Sequence, residues 1–139
     1  NGKLHIAHVG DSRVYLLRNN ELVQLTRDHN VGQDLRDMGE PEEKAARLDH
    51  ILTRSLGITE KAEPESQTVQ LQHKDRILLA SDGLKTLSKE RIKAILAEKS
   101  RPAEAAKELV EKADQAGLAA GGGHDNITAV VADYLLKLK

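Results

Sequence analysis

Cysteine is absent from the 139 residues, which rules out disulfides, thiolate zinc sites and every mechanism built on a cysteine nucleophile. Phenylalanine and tryptophan are absent too, and Tyr15 and Tyr134 are the whole aromatic complement. Leu, Ile, Val and Ala must therefore fill the core, and nothing offers the aromatic platform on which single-stranded bases stack. Charge of one sign is also missing. The 21 Lys and Arg are interleaved with 22 Asp and Glu, so the formal net charge is −1 and no basic stripe forms for a phosphate backbone. Nucleic acid is thus not an expected partner. No apolar run approaches the roughly 20 residues of a membrane span, and the first residues lack a signal-peptide pattern, so the expected location is cytoplasmic. The chain opens without Met at Asn1-Gly2-Lys3 and enters a strand at once, which reads as the middle of a longer protein.

What is present reads as one domain, or a large piece of one, of a folded protein. Three strand-like stretches come first, Leu4 to Val9, Arg13 to Arg18 and Glu21 to Leu25, with Asn19-Asn20 as a two-residue turn; the expectation is an antiparallel meander. From Asp28 to Leu56 the chain turns charged and Ala-rich. Helices are expected near Gly32 to Met38 and Glu42 to Arg47, split by Gly39-Glu40-Pro41, as an insertion over the surface. Thr68 to His73 alternates like a strand with one solvated face, whereas Arg76 to Ala80 is a continuous apolar run. Two amphipathic helices follow, the first capped by Ser88 and the second opened by Ser100 and Pro102. A glycine-rich link, 117–123, leads to a β-branched strand over Ile127 to Ala132. Strands, insertion, strands, helix pair and strand point to an α+β layered architecture.

Three aspartates share a setting, each at the junction of an apolar strand and a tight turn: Asp11 in Val9-Gly10-Asp11-Ser12, Asp82 in Ala80-Ser81-Asp82-Gly83, and Asp125 in Gly123-His124-Asp125-Asn126. One such Asp alone is ordinary turn chemistry. If the rims converge, three carboxylates within a few ångströms repel one another, and a hard divalent cation is the usual compensation. Oxygen-only ligands favour Mg²⁺ or Mn²⁺ over zinc. The six histidines sit in different motifs, and His5 and His8 lie on opposite strand faces; a surface or hydrogen-bonding role is expected for each. His124 is the exception, placed to orient Asp125 by a hydrogen bond, and Gly83 and Asn126 flank the carboxylates as supports. A serine-esterase reading, with Ser12 as nucleophile and Asp49-His50 as its acid and base, rests on three residues of motif alone.

The phrases around the aspartates carry more weight. His8-Val9-Gly10-Asp11-Ser12-Arg13-Val14-Tyr15, Leu25-Thr26-Arg27-Asp28-His29, Leu52-Thr53-Arg54-Ser55-Leu56-Gly57, Asp75 to Leu84, and Gly122-Gly123-His124-Asp125-Asn126-Ile127-Thr128 together resemble the metal-dependent serine/threonine protein phosphatases of type 2C, in that family's order. The resemblance implies the C-terminal part of a four-layer α-β-β-α sandwich of antiparallel sheets, with the N-terminal part missing and a flap over about 28–56. It implies that Asp82 and Asp125 hold one metal of a binuclear pair, and that Asp11 helps bind a third. The implied cofactors are Mg²⁺ or Mn²⁺. The implied chemistry is hydrolysis of phosphoserine or phosphothreonine in a protein by a metal-activated water, opposing a serine/threonine kinase. The family's N-terminal Asp-Gly and phosphate-binding Arg have no counterpart here, and Arg13 is expected to be structural. Little or no activity is expected of these residues alone. Lys85-Thr86 departs from the polar or acidic pair more usual after Ser81-Asp82-Gly83-Leu84, and is expected not to touch the proposed ligands. The alternative is a non-catalytic half-domain that binds a phosphoprotein or self-associates through open sheet edges.

Overall fold

The computed structural model describes residues 2–123 and 125–136. Strands β1 (Lys3–His8), β2 (Arg13–Arg18) and β3 (Glu21–Gln24) are followed by helices α1 (Val31–Asp37) and α2 (Glu42–Ala46). Strands β4 (Glu65–Gln70) and β5 (Asp75–Ala80), a 3₁₀ turn (Asp82–Thr86), helices α3 (Lys89–Glu98) and α4 (Pro102–Ala119), and strand β6 (Ala129–Tyr134) complete the order. Two antiparallel sheets result: β1 with β4, and a four-stranded sheet in the order β3-β2-β5-β6. The mixed, antiparallel α+β class is the expected one.

The expected three-strand meander is not formed. β2 and β3 make the hairpin, closed by Asn19 and Asn20 at φ of 49° and 61°, the left-handed pair that matches strand twist. β1 belongs to the other sheet and pairs in register with β4, Ile6 opposite Gln67. The chain changes sheets at Gly10, whose φ of +107° breaks the extended path. Such a crossing leaves no local trace beyond the glycine, because the partner strand lies some sixty residues on.

Strand alternation gives the four-stranded sheet two apolar faces. Tyr15, Leu17, Leu22, Leu78 and Ala80 pack under α3 and α4 against Ile92, Ile95, Leu96, Ala105, Leu109 and Ala113. Val14, Leu16 and Ile77 face the other way and meet Ile6 of the two-stranded sheet. The layers are therefore helices, four-stranded sheet and two-stranded sheet. Ser88 caps α3 by accepting the Arg91 N–H, as expected, and Pro102 occupies the first turn of α4. Arg101 rather than Ser100 stands at the α4 cap position.

Arg76 solves a problem that α3 cannot solve itself. The last turn of α3 holds no basic side chain, so its terminal carbonyls lack a counter-charge. Arg76 reaches them from β5 and donates to the Leu96, Lys99 and Ser100 carbonyls at 2.7, 2.5 and 3.1 Å. It also forms a two-pronged ion pair with Asp133 of β6 at 2.6 and 2.7 Å. One guanidinium thereby binds sheet to helix.

The 28–56 segment lies less on the surface than its composition implies. Asp28, His29 and Asn30 are buried, and Asn30 caps α1 by accepting the Gln33 N–H at 2.7 Å. Ala45 of α2 is buried as well. Arg36 then ties the two helices and the following loop through Glu42 and Asp49.

Candidate metal centre

Long-range contacts bring the three turns that carry Asp11, Asp82 and Asp125 to one rim of the sheets. The turn at Asp11 is set by His29, which is 1% exposed. The Gly10 N–H donates to His29 Nδ1 at 3.1 Å, and the His29 backbone N–H donates to the Gly10 carbonyl at 3.0 Å. Since Nδ1 accepts, Nε2 carries the proton, which it donates to Glu65 at 3.1 Å. The His8 ring stacks on His29 with centroids 4.5 Å apart. The hydrogen-bonding role expected of His29 is the one it has.

Asp82 and Asp125 are held by a direct seam between their turns. The Ser81 N–H donates to the Thr128 carbonyl (3.0 Å) and the Thr128 N–H to Ser81 Oγ (2.9 Å), while Ser81 Oγ donates to the Asn126 carbonyl (3.3 Å). Gly83 makes the closest approach: a Cβ there would lie 2.4 Å from the Asn126 carbonyl oxygen. The Asn126 N–H in turn donates to Asp125 Oδ1 at 2.8 Å. Gly83 and Asn126 thus lie between the two carboxylates' backbones. His124, the other expected support, lies outside the described residues.

The electrostatics of the rim are those of a site short of positive charge. Burial pushes the Asp82 carboxyl above its ordinary range, and the charges of Asp11 and Asp125 push it further. Lys85 and the Gly83 N–H offset this only in part. The oxygens of the three aspartates nevertheless do not close to within 4.8 Å of one another as a set. Like charges keep their distance unless a cation draws them in.

Arg13 and Lys85 stand beside this rim, and both are engaged. Arg13 grips Asp28 with Nε and Nη2 at 2.9 and 2.6 Å and donates to the Tyr15 hydroxyl at 3.0 Å, so it is structural, as expected. Burial raises the Asp28 carboxyl, but Arg13, helped by Lys85, draws it below its ordinary value. Lys85 corrects an expectation. Its Nζ lies 2.9 Å from Asp11 Oδ2 and 3.5 Å from Asp28 Oδ2, so it touches a proposed ligand directly. The reason is the 3₁₀ turn: three residues per turn stack Lys85 over Asp82, on the side facing Asp11.

Among the described residues, one trio of His, Asp or Glu offers ligand atoms within 4.8 Å of one another: His8, His29 and Glu65. Lone pairs of imidazoles lie in the ring planes, and these two planes are within 13° of parallel, so the pairs do not converge on one ion. The trio works as a hydrogen-bonded latch under Gly10. The esterase reading loses its orienting acid, because Asp49 is clamped by Arg36 at 2.7 and 2.9 Å. His5 and His73 bond Thr68 and the Leu136 N–H, as befits surface positions.

Comparison with known proteins locates this arrangement. The protein phosphatase 2C family model matches residues 1–120. The serine/threonine phosphatase Stp of Listeria welshimeri is 40% identical over 139 aligned positions, covering 96% of this chain and 53% of its own length. The crystal structure of the Mycobacterium tuberculosis serine/threonine phosphatase PstP superposes with a TM-score of 0.85 at 37% identity, over 98% of this chain and 57% of that one. A PstP catalytic domain in complex with two manganese ions superposes with a TM-score of 0.81 at 36% identity, over 98% and 55% of the two chains. The chain spans about half the length of the Listeria relative and of these solved structures.

Proposed function

The chain belongs to the protein phosphatase 2C family, and from that premise we propose that it supplies the Asp82–Asp125 half of a metal centre that hydrolyses phosphoserine and phosphothreonine in proteins. The observation that carries this reading is the Asp82 carboxyl, pushed up by burial and by Asp11 and Asp125, in a rim whose neighbouring cations Arg13 and Lys85 are already paired with carboxylates. Hard carboxylate oxygens at such a rim fit Mg²⁺ or Mn²⁺. A divalent ion bound there lowers the pKa of a bound water and offsets the charge of phosphoryl oxygens. Asp82 and Asp125 would hold it, with Asp11 as the neighbouring carboxylate. The seam through Ser81, Gly83, Asn126 and Thr128 sets the spacing of the first two, and the 28–56 segment, anchored through Asp28 and Asn30, lies beside them as a flap.

The same geometry supports low activity for these residues alone. A phosphate ester needs a free cation to receive it, and Arg13 and Lys85 are both committed to carboxylates. The test is hydrolysis of a phosphothreonine peptide with Mn²⁺, by this chain and by a parent extended to the length of its relatives. The reading expects little turnover from the 139 residues and chelator-sensitive turnover from the parent. Normal turnover by the short chain, or activity of the parent that survives removal of metal, would contradict it.

A second reading has its own observation. Leu79 and Val130, neighbours across β5 and β6, are 46% and 54% exposed and line an apolar cleft of about 300 Å³ with Val14 and Ala7. An open apolar sheet face of this kind favours association with another chain. Sedimentation velocity that detects concentration-dependent self-association, relieved by the complementary half of a relative, would support a half-domain role. A monomer at all concentrations would oppose it.

A further inference from the structure

We infer that Lys85 is a built-in counter-ion that holds Asp11 away from divalent metal, so that this chain takes up fewer ions at its acidic rim than its carboxylates would otherwise allow. The inference rests on the reading that Asp82 and Asp125 bind a divalent cation. Lys85 Nζ is seated between two carboxylates from elsewhere in the chain, 2.9 Å from Asp11 and 3.5 Å from Asp28. An ammonium so placed takes the Asp11 oxygen that a divalent ion would otherwise use. It is not a surface lysine in transit, for only 27% of its side chain is exposed and its partner Asp11 is 15% exposed.

The contact is intrinsic to the local fold. The 3₁₀ turn sets Lys85 one turn beyond Asp82, and the Leu84 N–H, bonded back to the Ser81 carbonyl at 3.2 Å, fixes that pitch. Asp11 is equally fixed, by the His29 grip on Gly10. Neither partner must move to make the pair. A tethered ammonium delivers one positive charge at no concentration cost, but it repels a divalent ion brought near the same oxygens. It has no empty coordination position and cannot activate water. Its effect is to set how many ions the rim holds and how tightly the last is held.

The test is titration of the chain with Mn²⁺, with free ion read by electron paramagnetic resonance, and circular dichroism to confirm that each variant is folded. Lys85→Ser and Lys85→Gln are expected each to bind one more Mn²⁺ than the unaltered chain, or to bind the weakest ion at least about tenfold tighter, the least that removing a like charge at this range should give. Lys85→Arg should titrate as the unaltered chain does. Asp11→Asn alone should leave the ion count unchanged, whereas Asp11→Asn added to Lys85→Ser should abolish the gain. Equal counts and affinities for the unaltered chain, Lys85→Ser and Lys85→Gln would overturn the inference and leave the metal reading standing. No Mn²⁺ uptake by any variant would overturn both.

Discussion

Replacing Gly83 with alanine adds a single methyl group where the turn bearing Asp82 lies on the turn bearing Asp125. That methyl would meet the Asn126 carbonyl oxygen at 2.4 Å, the Asn126 carbonyl carbon at 3.1 Å and Ile127 Cγ1 at 2.9 Å. To restore an ordinary contact of about 3.4 Å, the Asn126 carbonyl must retreat by about 1 Å. Backbone cannot yield as a side-chain tip can, so the Ser81–Asn126 bond, already 3.3 Å, opens and carries Asp125 away from Asp82. Overpacking of this kind costs about 1–3 kcal/mol. At roughly 3 °C per kcal/mol for a chain of this size, the melting temperature should drop by about 3–9 °C. The larger effect is on metal: metal–oxygen distances tolerate only about 0.2 Å of error, so a 1 Å displacement removes one of two shared ligands. Thermal melts followed by circular dichroism, with and without Mn²⁺, separate the two effects. The unaltered chain should gain stability from Mn²⁺ by mass action, and Gly83→Ala should lose that gain while still melting cooperatively. A Gly83→Ala chain with an unchanged melt and an unchanged Mn²⁺ response would refute the seam as the element that spaces the carboxylates.

Other perturbations follow from the same geometry. Asp82→Asn should stabilise the metal-free chain at pH 7 by removing a partly buried charge and its repulsion by Asp11 and Asp125, on the order of 1 kcal/mol, and should abolish stabilisation by Mn²⁺. Because the Asp82 carboxyl is raised in the folded state, its penalty is absent well below pH 3.8 and complete above its folded value, so the advantage of Asp82→Asn should vanish in acid melts. Asp28→Asn should cost about 3 kcal/mol by leaving Arg13 without its carboxylate partner, as read by urea unfolding at pH 7. The Asp28 carboxyl is lowered in the folded state, so its contribution is present above pH 3.8 and lost as pH falls through the depressed value; the difference between Asp28→Asn and the unaltered chain should shrink there. Arg76→Met should destabilise the chain by about 3 kcal/mol and raise amide exchange in the last turn of α3 before any other helix, because three carbonyls and Asp133 lose their donor together.

What could be read from the sequence was whatever neighbours in the chain decide. The Asn19-Asn20 hairpin, the Ser88 cap, Pro102 at a helix start and the strand-end aspartates each depend on a few adjacent residues. The family resemblance, carried by five such phrases, is matched by the family model and by the relatives. The features that escaped are pairings at long range. β1 looked like the first strand of a meander because its alternation is indifferent to which sheet receives it, and its partner β4 lies some sixty residues away. His29 reads as one histidine among six, and its burial depends on Gly10 and Glu65, which lie 19 and 36 residues away. The Lys85–Asp11 contact spans 74 residues, and the turn that brings the two together is visible only once Asp82 to Thr86 is known to be 3₁₀.

The most direct measurement is anomalous scattering from a crystal of this chain soaked in Mn²⁺. The expected result is a peak bonded by Asp82 and Asp125 together, with Lys85 still on Asp11. Manganese bound at His8, His29 and Glu65 instead, or an Asp82–Asp125 rim that stays without density at saturating Mn²⁺, would contradict it.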